Sequence, residues 1–314
     1  MATAEVTLVV LLKMPVKGSS KTRLVPALGA DGALLVADAL LRDTLLRYGR
    51  ASELAAWRRV ACFAPPTAAA AAALADVLAS LFGADGGPWE CAPMTSHSGD
   101  LASSNLGDLL GAEYARVRQA NSGPVVFVGM DSPDLPIEFV VDAAATAADG
   151  AAAIVPATDG GEPSLVLGPR GLFRGLRRLE TSVAHSPAPL GGGYAGYVAL
   201  ALPASAPRAV FDDVEWSTAN TAASQSSRIK SCGVDCIAAA AAWEDVDDVE
   251  DLRNLAARLQ KTPGLCPALE AFLPKLCDPR RQNSDASIPS PTYTTWDDRP
   301  RRLIRPLPQN ATDT

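Results

Sequence analysis

Apolar residues recur along the chain in two rhythms. Val6–Leu12 is an unbroken Val/Leu run. Such a run reads as a strand buried on both faces, as in a parallel sheet. A polar loop, Lys13–Arg23, follows, and then an Ala/Leu-rich helix over Gly32–Tyr48. The same alternation continues. Strands are expected at Arg59–Phe63, Trp89–Ala92, Pro124–Met130, Ala151–Val155, Tyr197–Leu202 and Val234–Ala238. Helices are expected at Thr67–Phe82, Leu106–Gln119, Ile137–Ala148, Thr218–Ser231 and Val249–Leu259. Leu265–Leu276 reads as one more helix, and Leu165–Leu167 as one more strand. Strands alternating with helices at this spacing predict βαβ units: an α/β fold with three α/β/α layers and a mostly parallel, Rossmann-like sheet.

Residues 1–277 are expected to form one domain, with an insertion somewhere in 162–208. From Asp278 the chain turns to Pro, Ser, Asp, Arg and Asn, and 278–314 reads as a disordered tail. A 48% hydrophobic composition in 314 residues supplies a sizeable core. The net charge of −7 argues against binding nucleic acid through a basic face. The apolar run at the N-terminus is too short to span a bilayer and lacks a basic leader, so no membrane partner is expected. The six cysteines form no CxxC pair, and a cytoplasmic location is expected. Only two histidines are present, which disfavours a histidine-based metal centre.

Against this acidic background, Lys13, Lys17, Lys21 and Arg23 crowd one loop that contains no acid. Pro15, Gly18, Ser19 and Ser20 lie between them. The loop follows the C-terminal end of a buried strand, where open α/β sheets bind ligands. Glycine and serine amides can cradle phosphate oxygens, and lysine and arginine neutralise them. The P-loop pattern fails, because Ser20 and Pro15 stand where glycines are required. The dinucleotide fingerprint GxGxxG is absent as well, which leaves little support for an oxidoreductase.

A second motif, Asp131-Ser132-Pro133-Asp134-Leu135-Pro136, follows the strand at Pro124–Met130. A carboxylate there can ligate a hard cation such as Mg²⁺. Helix capping explains Asp134 well and Asp131 less well. Asp159-Gly160-Gly161 follows the strand at Ala151–Val155 and also reads as a simple turn. In Trp243–Leu252, Asp245 and Asp247 are expected at a strand end, with Asp248, Glu250 and Asp251 at a helix start.

LLKMPVKGSSKTRLVPALG and DSPDLP resemble the glycosyltransferase-A-like family associated with bacterial radical-SAM and selenoprotein gene clusters. The loop is also similar to the opening of 2-phospholactate guanylyltransferase. The resemblance spans about residues 5–277 and implies the nucleotide-diphospho-sugar transferase fold. It implies a transferase using a nucleoside triphosphate or nucleotide-sugar with Mg²⁺ or Mn²⁺ and a small-molecule acceptor. Lys21, Arg23 and Asp131 become the catalytic candidates. Lys13, Pro15, Gly18, Lys21, Arg23, Asp159 and Gly160 become the nucleotide contacts, and Asp131, Asp245 and Asp247 the metal ligands. Asp245 is favoured over Asp247, and Asp134 is read as a helix cap or a residue behind the metal.

The chain departs from the family in two places. Glu162 or Tyr194 takes the place of an aromatic residue after the double glycine, depending on whether the following strand is Ser164–Gly168 or Tyr194–Leu200. Asn105 and Leu109 replace an acid and an arginine, with Asp100 an alternative match for the acid. FDDVEWST resembles a family segment in which Ser217 reads as a helix N-cap and Trp216 as packing or a ligand contact. These departures keep open a rival reading, a catalytically degenerate nucleotide-binding or interaction module on the same fold. Nucleotidyl and glycosyl transfer are both open, and the oligomeric state is not indicated.

Overall fold

The computed structural model describes residues 5–96, 104–158 and 196–273. Asp100, Asp159, Gly160, Glu162, Tyr194, the strand expected at Leu165–Leu167 and the expected tail 278–314 lie outside the described residues.

Among the described residues, seven strands form one sheet in the order β3-β2-β1-β4-β6-β5-β7. They are β1 (Thr7–Lys13), β2 (Arg58–Ala64), β3 (Trp89–Pro93), β4 (Val125–Gly129), β5 (Ala152–Pro156), β6 (Tyr197–Leu202) and β7 (Cys236–Ala238). All pairings are parallel except those of β6, which runs antiparallel to both β4 and β5. The helices are α1 (Val25–Arg50), α2 (Ala68–Phe82), α3 (Leu106–Ala120), α4 (Ile137–Ala148), α5 (Thr221–Ser231), α6 (Val249–Lys261) and the short α7 (Pro267–Glu270).

The two faces of β1 explain its continuous apolar run. Leu8, Val10 and Leu12 join a core built with α1, α2, α4 and α6, while Val9 faces a second core built with α3 and α5. Every one of these side chains is at most 1% exposed. Full burial of each contributes roughly 1.5–3 kcal/mol. Helices on both faces of a mostly parallel sheet are the three layers the apolar pattern predicts.

Gly29, at φ 70° and ψ 170°, interrupts α1 near its start, and the straight helix follows it. The stretch Thr22–Arg50 is long and apolar enough to cross a membrane. It is spent instead on the core, where Leu40, Leu41, Leu45 and Tyr48 are buried. Asp43 on the same helix accepts hydrogen bonds from the Ala268 and Leu269 amides (both 2.9 Å), so α1 also holds α7 in place.

The strand order reverses next to β1: β2 and β3 lie on one side of it and β4 on the other. The C-terminal ends of β1 and β4 therefore flank a topological switch point, where crevices form in open α/β sheets.

Candidate nucleotide and cation site

The loop after β1 folds on itself. Val16 carbonyl accepts from the Ser19 and Ser20 amides (3.1 and 3.0 Å), and Ser20 Oγ accepts from the Val16 amide (2.9 Å). Gly18 has φ +77°, a left-handed conformation that glycine adopts without strain. Pro15 is buried at the base of this turn. Three of the loop amides are thus committed within the loop. Its side chains carry the remaining chemistry.

Lys21 is itself left-handed, at φ 47° and ψ 49°. A side chain there costs of order 1 kcal/mol, which the surroundings must offset. Lys21 Nζ lies 2.7 Å from Asp131 Oδ1 and 3.3 Å from Asp247 Oδ1, and it also donates to the Val246 carbonyl. Burial alone would lower the Lys21 pKa; Asp131 and then Asp247 reverse this and hold it above its usual value. Arg23 reaches Asp247 Oδ2 at 3.4 Å from an exposed position. Lys17 turns away to Asp31 (2.6 Å) on α1. Lys13 ends β1 with its side chain exposed, and its amide donates to Met130 Sδ (3.3 Å).

Asp131 follows β4, and its carbonyl accepts from the Val246 amide (2.9 Å). That bond brings the segment Trp243–Asp247 across to the β4 end. Burial alternates along the segment, as it does when side chains of an extended chain point alternately to two sides. Glu244 and Val246 are buried, whereas Asp247 is exposed and Asp245 is half-buried. Asp245 shares the acid cluster. Burial first, then the negative charges of Asp247 and Asp131, push its carboxyl up to about 6. Lys21, Asp131, Asp245 and Asp247 therefore converge from three separate parts of the chain.

Three expectations need correction. Asp245 and Asp247 do not end a strand: β7 stops at Ala238, and only one parallel bridge, Ala157 to Trp243, continues beside β5. Asp134 is not a helix cap, because Pro136 is the N-cap of α4 and provides no side-chain bond. Ser217 is not the cap of α5, which starts at Thr221; Ser217 sits at φ 59° in the preceding turn.

Asp134 has another role. It is buried, accepts from Trp243 Nε1 (3.1 Å), and pairs with Arg258 Nε (2.6 Å). Arg258 also binds Glu244, which accepts from Asn254 Nδ2 (2.9 Å). The guanidinium lies 5.6 Å from the Trp243 ring centroid, and Phe139 packs edge-on against the same ring. Asp248 and Asp251 cap α6 in a reciprocal capping box, as their position at the helix start suggests. Trp216 packs close over Gly107 on α3, where an added Cβ would come within 2.4 Å of the indole nitrogen. That favours packing for Trp216. Asn105 caps α3 reciprocally with Asp108.

Divalent cations of the magnesium class take oxygen ligands and tolerate one or two carboxylates plus substrate phosphates. Asp131 and Asp247 share the buried Lys21 ammonium, Asp247 also meets the exposed Arg23, and Asp245 lies alongside. Three carboxylates to one buried ammonium is a donor set that suits a second cation. Among the described residues, no three His, Cys, Asp or Glu side chains are close enough to enclose a metal unaided. Water and substrate oxygens would complete the coordination.

A family model described as "Uncharacterized protein conserved in bacteria (DUF2064)" matches residues 50–175. The match therefore includes Asp131 and omits the loop after β1. No curated protein matches the chain. Among solved structures, a protein from Desulfovibrio desulfuricans G20, provisionally named a nucleotide-diphospho-sugar transferase, is 20% identical. It overlays with a TM-score of 0.62 across 87% of this chain and 96% of its own. At that identity the likeness shows the fold alone: the chain has the nucleotide-diphospho-sugar transferase fold that its motifs suggest. A 4-diphosphocytidyl-2C-methyl-D-erythritol synthase from Anaerococcus prevotii DSM 20548 is 11% identical, with a TM-score of 0.48 over 82% of this chain and 97% of that one. The inositol-1-phosphate CTP transferase from T. maritima is 13% identical, with a TM-score of 0.41 over 85% and 97%. Overlaps this loose say nothing further about the chain.

Proposed function

We propose that this chain is a Mg²⁺- or Mn²⁺-dependent transferase that takes a nucleoside triphosphate or nucleotide-sugar as donor and a small molecule as acceptor. The observation that carries the reading is the convergence of Asp131, Asp245 and Asp247 on Lys21 at the switch point of the sheet. Carboxylates left short of positive charge in such a crevice attract a cation, and a cation there attracts polyphosphate.

In this reading Asp131 and Asp247 hold the metal, with Asp245 completing the acidic side. The bound metal supplies charge neutralisation on the donor phosphates. Lys21 and Arg23 contact those phosphates and offset the charge that develops on the leaving oxygen. Lys13 lines the approach, and Pro15 and Gly18 shape the loop. Asp159 and Gly160, which follow Thr158 at the end of β5, are assigned to the nucleotide by resemblance. The site needs no protein nucleophile, and the proposal leaves the transferred group, nucleotidyl or glycosyl, to experiment. A cytoplasmic setting accords with the five described cysteines, all of which are free. The departure at Asn105 does not favour a degenerate module, because a helix cap accepts asparagine as readily as aspartate.

A thermal-shift screen tests this directly. Nucleoside triphosphates, UDP- and GDP-sugars and NADH are each added with and without Mg²⁺. A ligand of the folded state raises the melting temperature by mass action. The expected result is a Mg²⁺-dependent rise with at least one nucleotide and none with NADH. No rise with any nucleotide would overturn the proposal.

A further inference from the structure

We infer that Arg258 is a positioning residue: through Asp134 and Glu244 it clamps together the two segments that carry the metal-binding carboxylates. The inference rests on the proposed cation site and adds a part that touches neither metal nor nucleotide.

The connections are direct. Asp134 belongs to the same turn as Asp131, three residues on, and Glu244 precedes Asp245. Arg258 Nε and Nη2 lie 2.6 and 3.4 Å from the two Asp134 oxygens, while Nη1 binds Glu244. Only arginine offers donors in a fixed fork that can serve two carboxylates in one plane. The clamp is enclosed, with the Asp134 and Glu244 side chains 2% and 3% exposed. Trp243 Nε1 also donates to Asp134, and Asn254 Nδ2 to Glu244. Arg258, bridging Asp134 and Glu244, and the Trp243-to-Asp134 bond draw the 243–247 segment against the turn after β4. The Val246-to-Asp131 backbone bond is made in the same place.

Alternation along the extended segment converts this clamp into site geometry. Glu244 and Val246 point inward and are fixed, so Asp245 and Asp247 must point to the other side. The separation of Asp131 from Asp247 is thereby set before any ligand arrives. Groups that orient metal ligands from behind commonly change metal affinity by 10–100-fold when altered.

The experiment measures Mn²⁺ binding without nucleotide, by the loss of the free-ion electron paramagnetic resonance signal. Wild type is compared with Arg258→Lys, Arg258→Met and Leu255→Ala. Leu255 lies on the same helix, is fully buried in the core, and reports what lost stability alone does. The expected result is affinity weakened about tenfold or more in Arg258→Met. Arg258→Lys keeps the charge without the fork and is expected to weaken affinity by a smaller factor. Leu255→Ala is expected to leave affinity unchanged despite its lower melting temperature. Should Arg258→Met fail to fold, Arg258→Lys against Leu255→Ala decides. Wild type binding Mn²⁺ with both Arg258 variants equal to it would overturn the clamp alone. Wild type failing to bind Mn²⁺ would overturn the clamp and the cation site together.

Discussion

Two groups of acids share the same two stretches of chain and meet opposite fates. Asp134 and Glu244 are enclosed with Arg258 and have their hydrogen bonds filled by Trp243 and Asn254. Asp131, Asp245 and Asp247, one to three residues away, share one lysine and an exposed arginine. The first group is enclosed, 2% and 3% exposed, with its oxygens bonded to side chains of the fold. The second stands at an open edge, with Asp131 and Asp247 41% and 53% exposed. What separates the two groups is whether the fold shuts the carboxylate away from solvent or leaves it open to a ligand.

The largest expected effect tests the closed group. Removing one member of a buried ion pair leaves its partner uncompensated and costs roughly 3–5 kcal/mol. Asp134→Ala should lose that much in urea unfolding, whereas Asp131→Ala should stay within about 1 kcal/mol of wild type. Equal losses would erase the distinction between the groups.

Asp43 is an intermediate case, enclosed but with amides rather than a cation against its carboxylate. Burial first, opposed by those two amides, raises its carboxyl from 3.8 to about 6. The folded state therefore holds this proton more tightly than the unfolded chain. The associated stability is fully present below 3.8 and is lost as pH rises through about 6. Asp43→Asn should remove this dependence. Its stability relative to wild type should improve by roughly 3 kcal/mol between about pH 3 and pH 7. A constant difference across that range would show that Asp43 does not titrate in the fold.

The open group is probed by affinity. Asp131→Asn should weaken Mg²⁺-dependent nucleotide binding by at least about tenfold, close to 1.4 kcal/mol, in isothermal titration. Unchanged affinity would remove Asp131 from the site. Lys21→Met should separate two quantities. Deleting the resident cation should tighten Mn²⁺ binding alone by roughly 1 kcal/mol, through lost repulsion, and weaken nucleotide binding. A fall in both would make Lys21 a support for the fold. The smallest effect belongs to Arg23, whose pair with Asp247 is long and exposed. Arg23→Ala should change unfolding stability by less than about 1 kcal/mol, because screening leaves little in such a pair.

The sequence makes β1 and the aspartate after β4 legible for the same reason. A strand buried on both faces is a local apolar run, and ligands of such sheets gather where these runs end. The capping acids Asp248 and Asp251 are legible because a capping box is local too. Of the two readings of Asp134, the helix cap fails: its local context, acid before Leu-Pro and a helix, looks like a cap, but Pro136 holds that position. The partner of Asp134, Arg258, lies 124 residues away and leaves no local trace. Ser217 is misread similarly: a Ser-Thr pair before a helix suggests a cap, yet Thr218 Oγ1 bonds the Asn220 amide in a turn and helix α5 begins later. The apolar stretch after β7 suggests a continuing strand, but after the Ala239 amide bonds the Ile154 carbonyl, pairing beside β5 resumes only as the single bridge of Trp243 to Ala157. The apolar run of β6 announces a strand without saying which way it points.

That direction bears on how the molecule is assembled. β6 lies between β4 and β5, which precede it in the chain by more than forty residues. Until residues 197–202 are in place, the outer edge of β4 and the facing edge of β5 have no partner. Order of synthesis and order of the sheet thus disagree at this point. The β3-β2-β1-β4 half can be completed early, while β5 and the segment carrying Asp245 and Asp247 must wait for a late, sequence-distant pairing. Such pairings slow folding and expose strand edges meanwhile. The acids beyond β7 and the turn after β4 therefore stand in two halves of the sheet that only β6 joins.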